Sequence, residues 1–126
     1  MPKTPKLLVT RRLPDAVTDR ARQGYDALFN EADNPPDPQE VVEAAAGCDA
    51  ILCCPTEKLR ADTIEALPDS VGIIATFSVG YEHLDLAAAK ARGLRVTNTP
   101  DVLTDATADL TLLCLLGAAR RAGRAG

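Results

Sequence analysis

Aromatic side chains are scarce in this sequence, which has no Trp, two Tyr and two Phe in 126 residues. Its core must therefore be aliphatic, and 46% hydrophobic with 25% charged residues is the balance of an ordinary globular protein. The length suits one compact domain and is too short for two of usual size. The most apolar stretch, residues 106–119, is shorter than the roughly 20 residues that span a bilayer. It also contains Asp109, so we expect a buried helix there and no membrane span.

Positive charge is also not in excess. Fourteen basic and 18 acidic residues give a net charge of -4, so nothing favours binding to nucleic acid or to an anionic membrane. Arg120, Arg121 and Arg124 gather near the end. We interpret them as residues that complement a helix dipole rather than as a binding patch.

The sequence has no evenly spaced cysteine framework and no paired Cys-x-x-Cys metal pattern. Its four cysteines are Cys48, Cys53, Cys54 and Cys114, and we expect them to be buried thiols in a reducing compartment, with no metal bound. Residues 1–6 are polar and lack the apolar run of a secretion signal. The sequence therefore predicts a cytoplasmic protein.

Short apolar blocks alternate with segments of helical spacing along the chain. The blocks lie at 6–10, 25–30, 49–54, 72–77 and 94–97, and the helical patterns lie at 14–22, 39–46, 60–67, 85–92 and from Asp105 onward. This alternation predicts an α/β fold with a flavodoxin-like, parallel five-stranded sheet in the order 2-1-3-4-5 and helices on both faces. Ligands of such sheets bind beyond the carboxyl ends of the strands, which here means the loops at 10–13, 54–59 and 78–83.

The loop after the fourth apolar block offers main-chain donors. Ser78, Val79 and Gly80 stand between a predicted strand and a predicted helix, where successive N–H groups can converge on a small anion such as a carboxylate. Glycine permits close approach because it has no side chain. The alternative is that Gly80 only allows a tight turn, and the spacing alone leaves both interpretations open.

A second polar segment, residues 98–109, precedes the last helix. Thr104 and Asp105 are its candidate N-caps. The segment is either ordinary helix capping or the start of a helix that passes between two domains, with Thr104 at the cleft. Sequence spacing does not choose between these interpretations.

Residues 76–116, TFSVGYEHLDLAAAKARGLRVTNTPDVLTDATADLTLLCLL, resemble the D-isomer-specific 2-hydroxyacid dehydrogenases. The runs SVGYEHLD and TPDVLTDATAD are similar to the glyoxylate and hydroxypyruvate reductase branch, and a weaker similarity extends over nearly the whole chain. The resemblance implies a two-domain enzyme that uses NAD or NADP to reduce a small 2-oxo acid to the D-2-hydroxy acid. Residues 1–103 would be its substrate-binding domain, and 104–126 an interdomain helix leading to a nucleotide-binding domain.

The resemblance also assigns residues to the substrate and the cofactor. The Val79 and Gly80 amides would bind the substrate carboxylate, Ser78 would shape the same loop, Cys54 would line the pocket and Thr104 would lie near the nicotinamide. The family's Gly-x-Gly-x-x-Gly fingerprint, its substrate-orienting Arg and its proton-delivering Glu and His pair have no match in this sequence. We therefore expect no catalytic residue here and no activity of this chain alone. An inactive carboxylate-binding module or a truncated fragment are the alternatives.

His83 is the only histidine and so the obvious candidate for acid–base catalysis. In the resemblance it occupies a structural position, and we predict a capping or packing role. Cys53 and Cys54 are likewise predicted to be small core side chains rather than nucleophiles. Leucines at 112, 113, 115 and 116 surround the last helix, so we expect exposed apolar surface there and self-association.

Overall fold

The computed structural model describes residues 2–124. The strands are β1 (Lys6–Val9), β2 (Asp26–Phe29), β3 (Ala50–Cys53), β4 (Ile73–Thr76) and β5 (Arg95–Thr97). The α-helices are α1 (Asp15–Gly24), α2 (Pro38–Ala44), α3 (Ala61–Ala66), α4 (Leu86–Ala91) and α5 (Thr104–Ala119), and a 3₁₀ turn follows at Ala122–Arg124. The predicted alternation is confirmed, although α1 extends to Gly24, two residues beyond the predicted helical pattern at 14–22.

The five strands form one parallel sheet in the order β2-β1-β3-β4-β5, which confirms the predicted flavodoxin-like topology. The chain leaves β1 outward to β2 and then returns across β1 to β3, so the order reverses between β1 and β3. At such a reversal the loops on the two sides diverge and leave a crevice at the carboxyl edge of the sheet.

Both faces of the sheet carry helices, as predicted, but unequally. Leu8 and Ile51 point to a core shared with Val41 of α2, Ile64 of α3 and Ala89 of α4. The opposite face has a smaller cluster, in which Leu7, Val9 and Ala21 of α1 are buried. Since alternate residues of a strand face opposite sides, these two clusters account for the nearly continuous apolar sequences of the strands.

Helix α5 is apolar but is not buried, so the expectation of a buried helix is wrong. Its leucines at 110, 112, 113, 115 and 116 are 59–65% exposed. They surround the axis rather than forming one stripe, and none of its residues is buried against the sheet. The predicted exposure of the leucines is thereby confirmed. Within residues 2–124, no helix is long and apolar enough to cross a membrane.

We predict that the chain self-associates through α5, because large contiguous apolar surfaces are seldom left in water. Light scattering should give a mass that rises with concentration above the 13.3 kDa of one chain. Leu116→Lys should lower the mass, whereas Ala87→Lys, which adds the same charge at an exposed position of α4, should not. A concentration-independent monomer would contradict the prediction.

Candidate functional site

The loops after β3 and β4 leave the sheet side by side. Cys53 pairs with Thr76 in the parallel register, and the Phe77 amide donates to the Cys53 carbonyl at 2.8 Å. Cys54 and Ser78 therefore follow neighbouring strand ends, as expected for a site at the carboxyl edge of the sheet.

We call residues 78–80 the cradle loop. Each of its three main-chain carbonyls accepts a hydrogen bond. The Thr99 amide donates to the Ser78 carbonyl at 2.9 Å, and Asn98 Nδ2 donates to the Val79 carbonyl at 2.8 Å. Ser78 Oγ donates to the Gly80 carbonyl at 2.7 Å. By contrast, neither the Val79 nor the Gly80 amide donates to any acceptor among residues 2–124.

The direction of these two amides follows from the planar peptide. The chain has no cis peptide among the described residues, and in a trans peptide the N–H points opposite to the preceding C=O. Since the carbonyls of Ser78 and Val79 both face residues 98–99, the N–H groups of Val79 and Gly80 both face away from them. Two unpaired donors on one side of a loop can receive the oxygens of a small anion.

The backbone angle at Gly80 does not require glycine. Gly80 is absent from the described residues with positive φ, so a left-handed turn does not require glycine there. A Cβ at this position would lie 2.5 Å from Glu82 Oε2, because the Glu82 side chain folds against it. Oε2 ends a flexible side chain that can move aside, so this contact does not distinguish the close-approach role of Gly80 from the tight-turn role.

A chain of side-chain hydrogen bonds connects the cradle loop with the interior of the domain. Thr76 Oγ1 lies 2.7 Å from Ser78 Oγ and 2.9 Å from His83 Nε2. Ser78 uses its proton on the Gly80 carbonyl, so it must accept a hydrogen bond from Thr76, and Thr76 must accept one from His83. This order requires a proton on His83 Nε2.

Burial favours the neutral form of His83, which is 4% exposed. Desolvation, followed by the charge of Lys58, lowers the pKa of His83 from its ordinary value of 6.5. The ring is therefore neutral at neutral pH, and its Nε2 proton is engaged inside the protein. Both features agree with the predicted packing role and not with acid–base catalysis.

We predict that the stability of the domain falls as the pH drops below the ordinary pKa of histidine. A base whose pKa is lowered in the folded state binds its proton more readily when unfolded, so its contribution is complete above the unfolded pKa and is lost in acid. Urea unfolding between about pH 8 and about pH 5.5 should show this slope. In His83→Gln, which keeps a donor but does not titrate, the slope should be smaller; an unchanged slope would contradict the assignment.

Cys54 is held by a buried carboxylate that sequence analysis missed. Glu57 is 1% exposed, and its Oε2 accepts hydrogen bonds of 2.7 Å from the Cys54 amide and from Thr10 Oγ1. The Glu57 amide in turn donates to the Cys54 carbonyl at 3.1 Å. This reciprocal pairing over three residues is like a helix capping box, and the Glu three positions after Cys54 was its only signal in the sequence.

The Cys54 side chain is half-buried and packs against the cluster on the α1 face of the sheet. Burial, together with the charge of Glu57, raises the pKa of the Cys54 thiol, and burial raises the pKa of Cys53 to about 12. A raised pKa disfavours the thiolate that a nucleophile needs. Cys48 is buried as expected, but Cys114 lies exposed on α5, so the expectation of four buried thiols is wrong there.

Arg11 joins three loops at the carboxyl edge and was also missed. Its Nε lies 3.0 Å from Asp33 Oδ1, and its Nη1 donates to Thr56 Oγ1 at 2.8 Å. The backbone amide of Arg12 donates to the same Asp33 oxygen at 2.8 Å. Arg11 therefore links the loops that follow β1, β2 and β3, which a sequence cannot reveal because these residues are far apart along it.

Thr104 is not an N-cap, and neither is Asp105, so both capping predictions are wrong. The N-cap is Leu103, which makes no side-chain capping bond, and the first helical backbone bond runs from the Thr107 amide to the Leu103 carbonyl. Thr104 is the first residue of α5 and is exposed. Among residues 2–124, no hydrogen bond connects it with the cradle loop.

Three cavities lie at this edge of the sheet. One of about 120 Å³ lies beside the cradle loop between Tyr81, Leu86 and Asn98. A larger one of about 460 Å³ lies at the ends of β1 and β2, with a lining that includes Leu8, Leu28 and Val41. Polar side chains such as Asn30 also line it. The third cavity, of about 260 Å³, has a polar and charged lining that includes Arg12, Arg22 and Glu31. No cluster of metal-binding side chains occurs in the described part of the chain.

The fold and the free amides define a doubly wound α/β domain with a candidate anion site at the end of β4. Residues 7–123 match the family described as D-isomer specific 2-hydroxyacid dehydrogenase, catalytic domain. The chain belongs to this family.

Named relatives agree with the family. The chain is 43% identical over 118 residues to glycerate dehydrogenase of Hyphomicrobium methylovorum, covering 94% of this chain and 37% of that protein. It is 38% identical over 118 residues to glyoxylate reductase of Thermofilum pendens, covering 93% of this chain and 34% of the relative. The chain therefore spans about a third of the length of these proteins.

Solved structures share the fold over the same region. A Polaromonas protein described as a D-isomer specific 2-hydroxyacid dehydrogenase superposes with a TM-score of 0.84 at 36% identity, covering 92% of this chain and 36% of that one. The NADPH-dependent glyoxylate/hydroxypyruvate reductase of Sinorhizobium meliloti, in complex with NADP and malonate, gives 0.73 at 32% identity, covering 91% and 34%.

Proposed function

We propose that this chain is the substrate-binding portion of an NAD(P)-dependent oxidoreductase that reduces glyoxylate or hydroxypyruvate to the D-2-hydroxy acid. Residues 1–103 are assigned to the substrate-binding domain, and residues 104–126 to the connection with a nucleotide-binding domain. The substrate class follows the relatives named glyoxylate reductase and glycerate dehydrogenase. The cytoplasmic location stays a prediction.

One observation carries the proposal. The amides of Val79 and Gly80 are unpaired and face the same side of the cradle loop, whereas the carbonyls of the loop all accept hydrogen bonds. Substrates of this class carry a carboxylate next to the reacting carbonyl carbon. Two main-chain donors hold such a carboxylate through charge-assisted hydrogen bonds. They would fix the position of the adjacent carbon without any charged side chain.

Cys54 and Ser78 are assigned supporting roles at the same site. Ser78 fixes the Gly80 carbonyl at 2.7 Å, and Cys54 contributes the wall from the neighbouring strand end. Neither residue has an acid–base role, because Ser78 is committed within its hydrogen-bond chain and burial raises the pKa of Cys54. We assign no proton donor to this chain.

We assign one contact with the cofactor to the described residues. Thr104 is exposed at the start of α5, where the first-turn amides of a helix are not used within the helix, and we assign it to the nicotinamide end of NAD or NADP. When bound, the reduced cofactor supplies the hydride for the 2-oxo group. No glycine-rich fingerprint for the pyrophosphate occurs in the sequence, so a nucleotide-binding domain must provide that contact.

The proposal is tested by titrating the isotope-labelled chain with sodium glycolate and following the backbone amides by NMR. The Val79 and Gly80 amide resonances should shift and saturate, with a dissociation constant of about 1 mM or weaker, because only part of the site is present. Glycolamide has the same shape without the charge and should bind more weakly. If glycolate moves neither amide, the proposed cradle is wrong.

We also predict that the purified chain, mixed with NADPH and glyoxylate, oxidises no cofactor. The family's substrate-orienting Arg and its Glu and His pair have no counterpart here, and His83 is buried and neutral. Absorbance of NADPH measures the reaction directly. Turnover that persists after a second purification would contradict this assignment of roles.

A further inference from the structure

The Val79–Gly80 peptide is held differently from its neighbours. The Ser78 carbonyl accepts from a main-chain N–H, that of Thr99, and the Gly80 carbonyl accepts from Ser78 within the same loop. The Val79 carbonyl alone accepts from a side chain distant in sequence, Asn98 Nδ2 at 2.8 Å and 19 positions away. The orientation of this peptide therefore depends on one remote side chain.

Asn98 is well placed for this contact. It directly follows β5, the strand that pairs with β4 in parallel, so its side chain lies beside the loop that leaves β4. It is half-buried and lines the small cavity with Tyr81 and Leu86. Pro100 comes two residues later and restricts Thr99 to extended conformations, which stiffens the segment that carries both donors.

We propose that Asn98 is a positioning residue of the carboxylate cradle, an inference that rests on the proposed function. By holding the Val79 carbonyl toward residues 98–99, it presets the Gly80 amide on the opposite side of the same planar peptide. Without the Asn98 donor, the partly buried Val79 carbonyl has no hydrogen-bond partner, and the Val79–Gly80 peptide can rotate to turn this carbonyl toward water. The same rotation moves the Gly80 N–H away from the position in which it meets the ligand. Asn98 thus acts on the ligand through Val79 without touching it.

The test compares two substitutions that remove a donor and add no charge. Asn98→Leu is of similar size and can pack beside Tyr81 and Leu86 in the neighbouring cavity. Asn30→Leu is the matched control at the end of β2, with β1 and β3 between it and β4. Asn30 Nδ2 also donates to main-chain carbonyls, those of Thr10 at 2.9 Å and Asn34 at 2.7 Å. Both labelled variants are titrated with sodium glycolate in the 126-residue chain.

Asn98→Leu should bind glycolate about tenfold more weakly than the unmodified chain. Even without ligand, the Val79 carbonyl and Gly80 amide resonances should move, a change that loss of stability alone does not produce. Asn30→Leu should retain the glycolate affinity and both resonances. Asn98→Ala makes the same comparison if the leucine variant does not fold.

The outcomes separate this inference from the proposed function. If the unmodified chain and Asn98→Leu bind glycolate equally well, the role of Asn98 is wrong while the cradle stands. The same conclusion follows if Asn30→Leu weakens binding as much as Asn98→Leu. If the unmodified chain shows no response at Val79 and Gly80, the cradle fails, and the role of Asn98 fails with it.

Discussion

Hydrogen-bond pairing of the peptides that follow β4 is the constraint on which the candidate site depends. Polar main-chain groups near a protein interior must find partners, and the carbonyls of the cradle loop find theirs in Thr99, Asn98 and Ser78. Because each peptide is planar, satisfying the carbonyls on one side leaves N–H groups on the other. The donors that an anion needs are thus a consequence of how the acceptors are satisfied.

Polar side chains hold the cradle loop and the neighbouring strand end in place through hydrogen bonds within the domain. His83 and Thr76 support the loop from inside the domain, while Glu57 ties the Cys54 backbone to Thr10 at the neighbouring strand end. A buried carboxylate is costly unless it is hydrogen-bonded, and Glu57 meets that condition with main-chain and hydroxyl donors. A site whose donors are already oriented loses less conformational entropy on binding.

The secondary structure and topology could be predicted because they follow from local periodicity. Apolar blocks alternating with helical spacing require a covered parallel sheet, and Ser78, Val79 and Gly80 occupy the predicted place at its edge. Two predictions about the last helix, its burial and its N-cap, were wrong for a physical reason. An apolar sequence such as that around Leu113 shows that burial would be favourable, but not whether any element is available to cover it. Similarly, Thr104 and Asp105 have side chains that suit an N-cap, yet the N-cap position is set by the backbone and falls on Leu103.

The sequence by itself determined the order of strands and helices, the position of the polar loops and the membership of the chain in its family, since these depend on residues close together along the chain. Only the tertiary structure decided which side chains hold those loops. Asn98 meets Val79 because β5 lies beside β4, and Arg11 meets Asp33 and Thr56 because three strand ends converge. Such pairings depend on distances in space, which spacing along one sequence does not record.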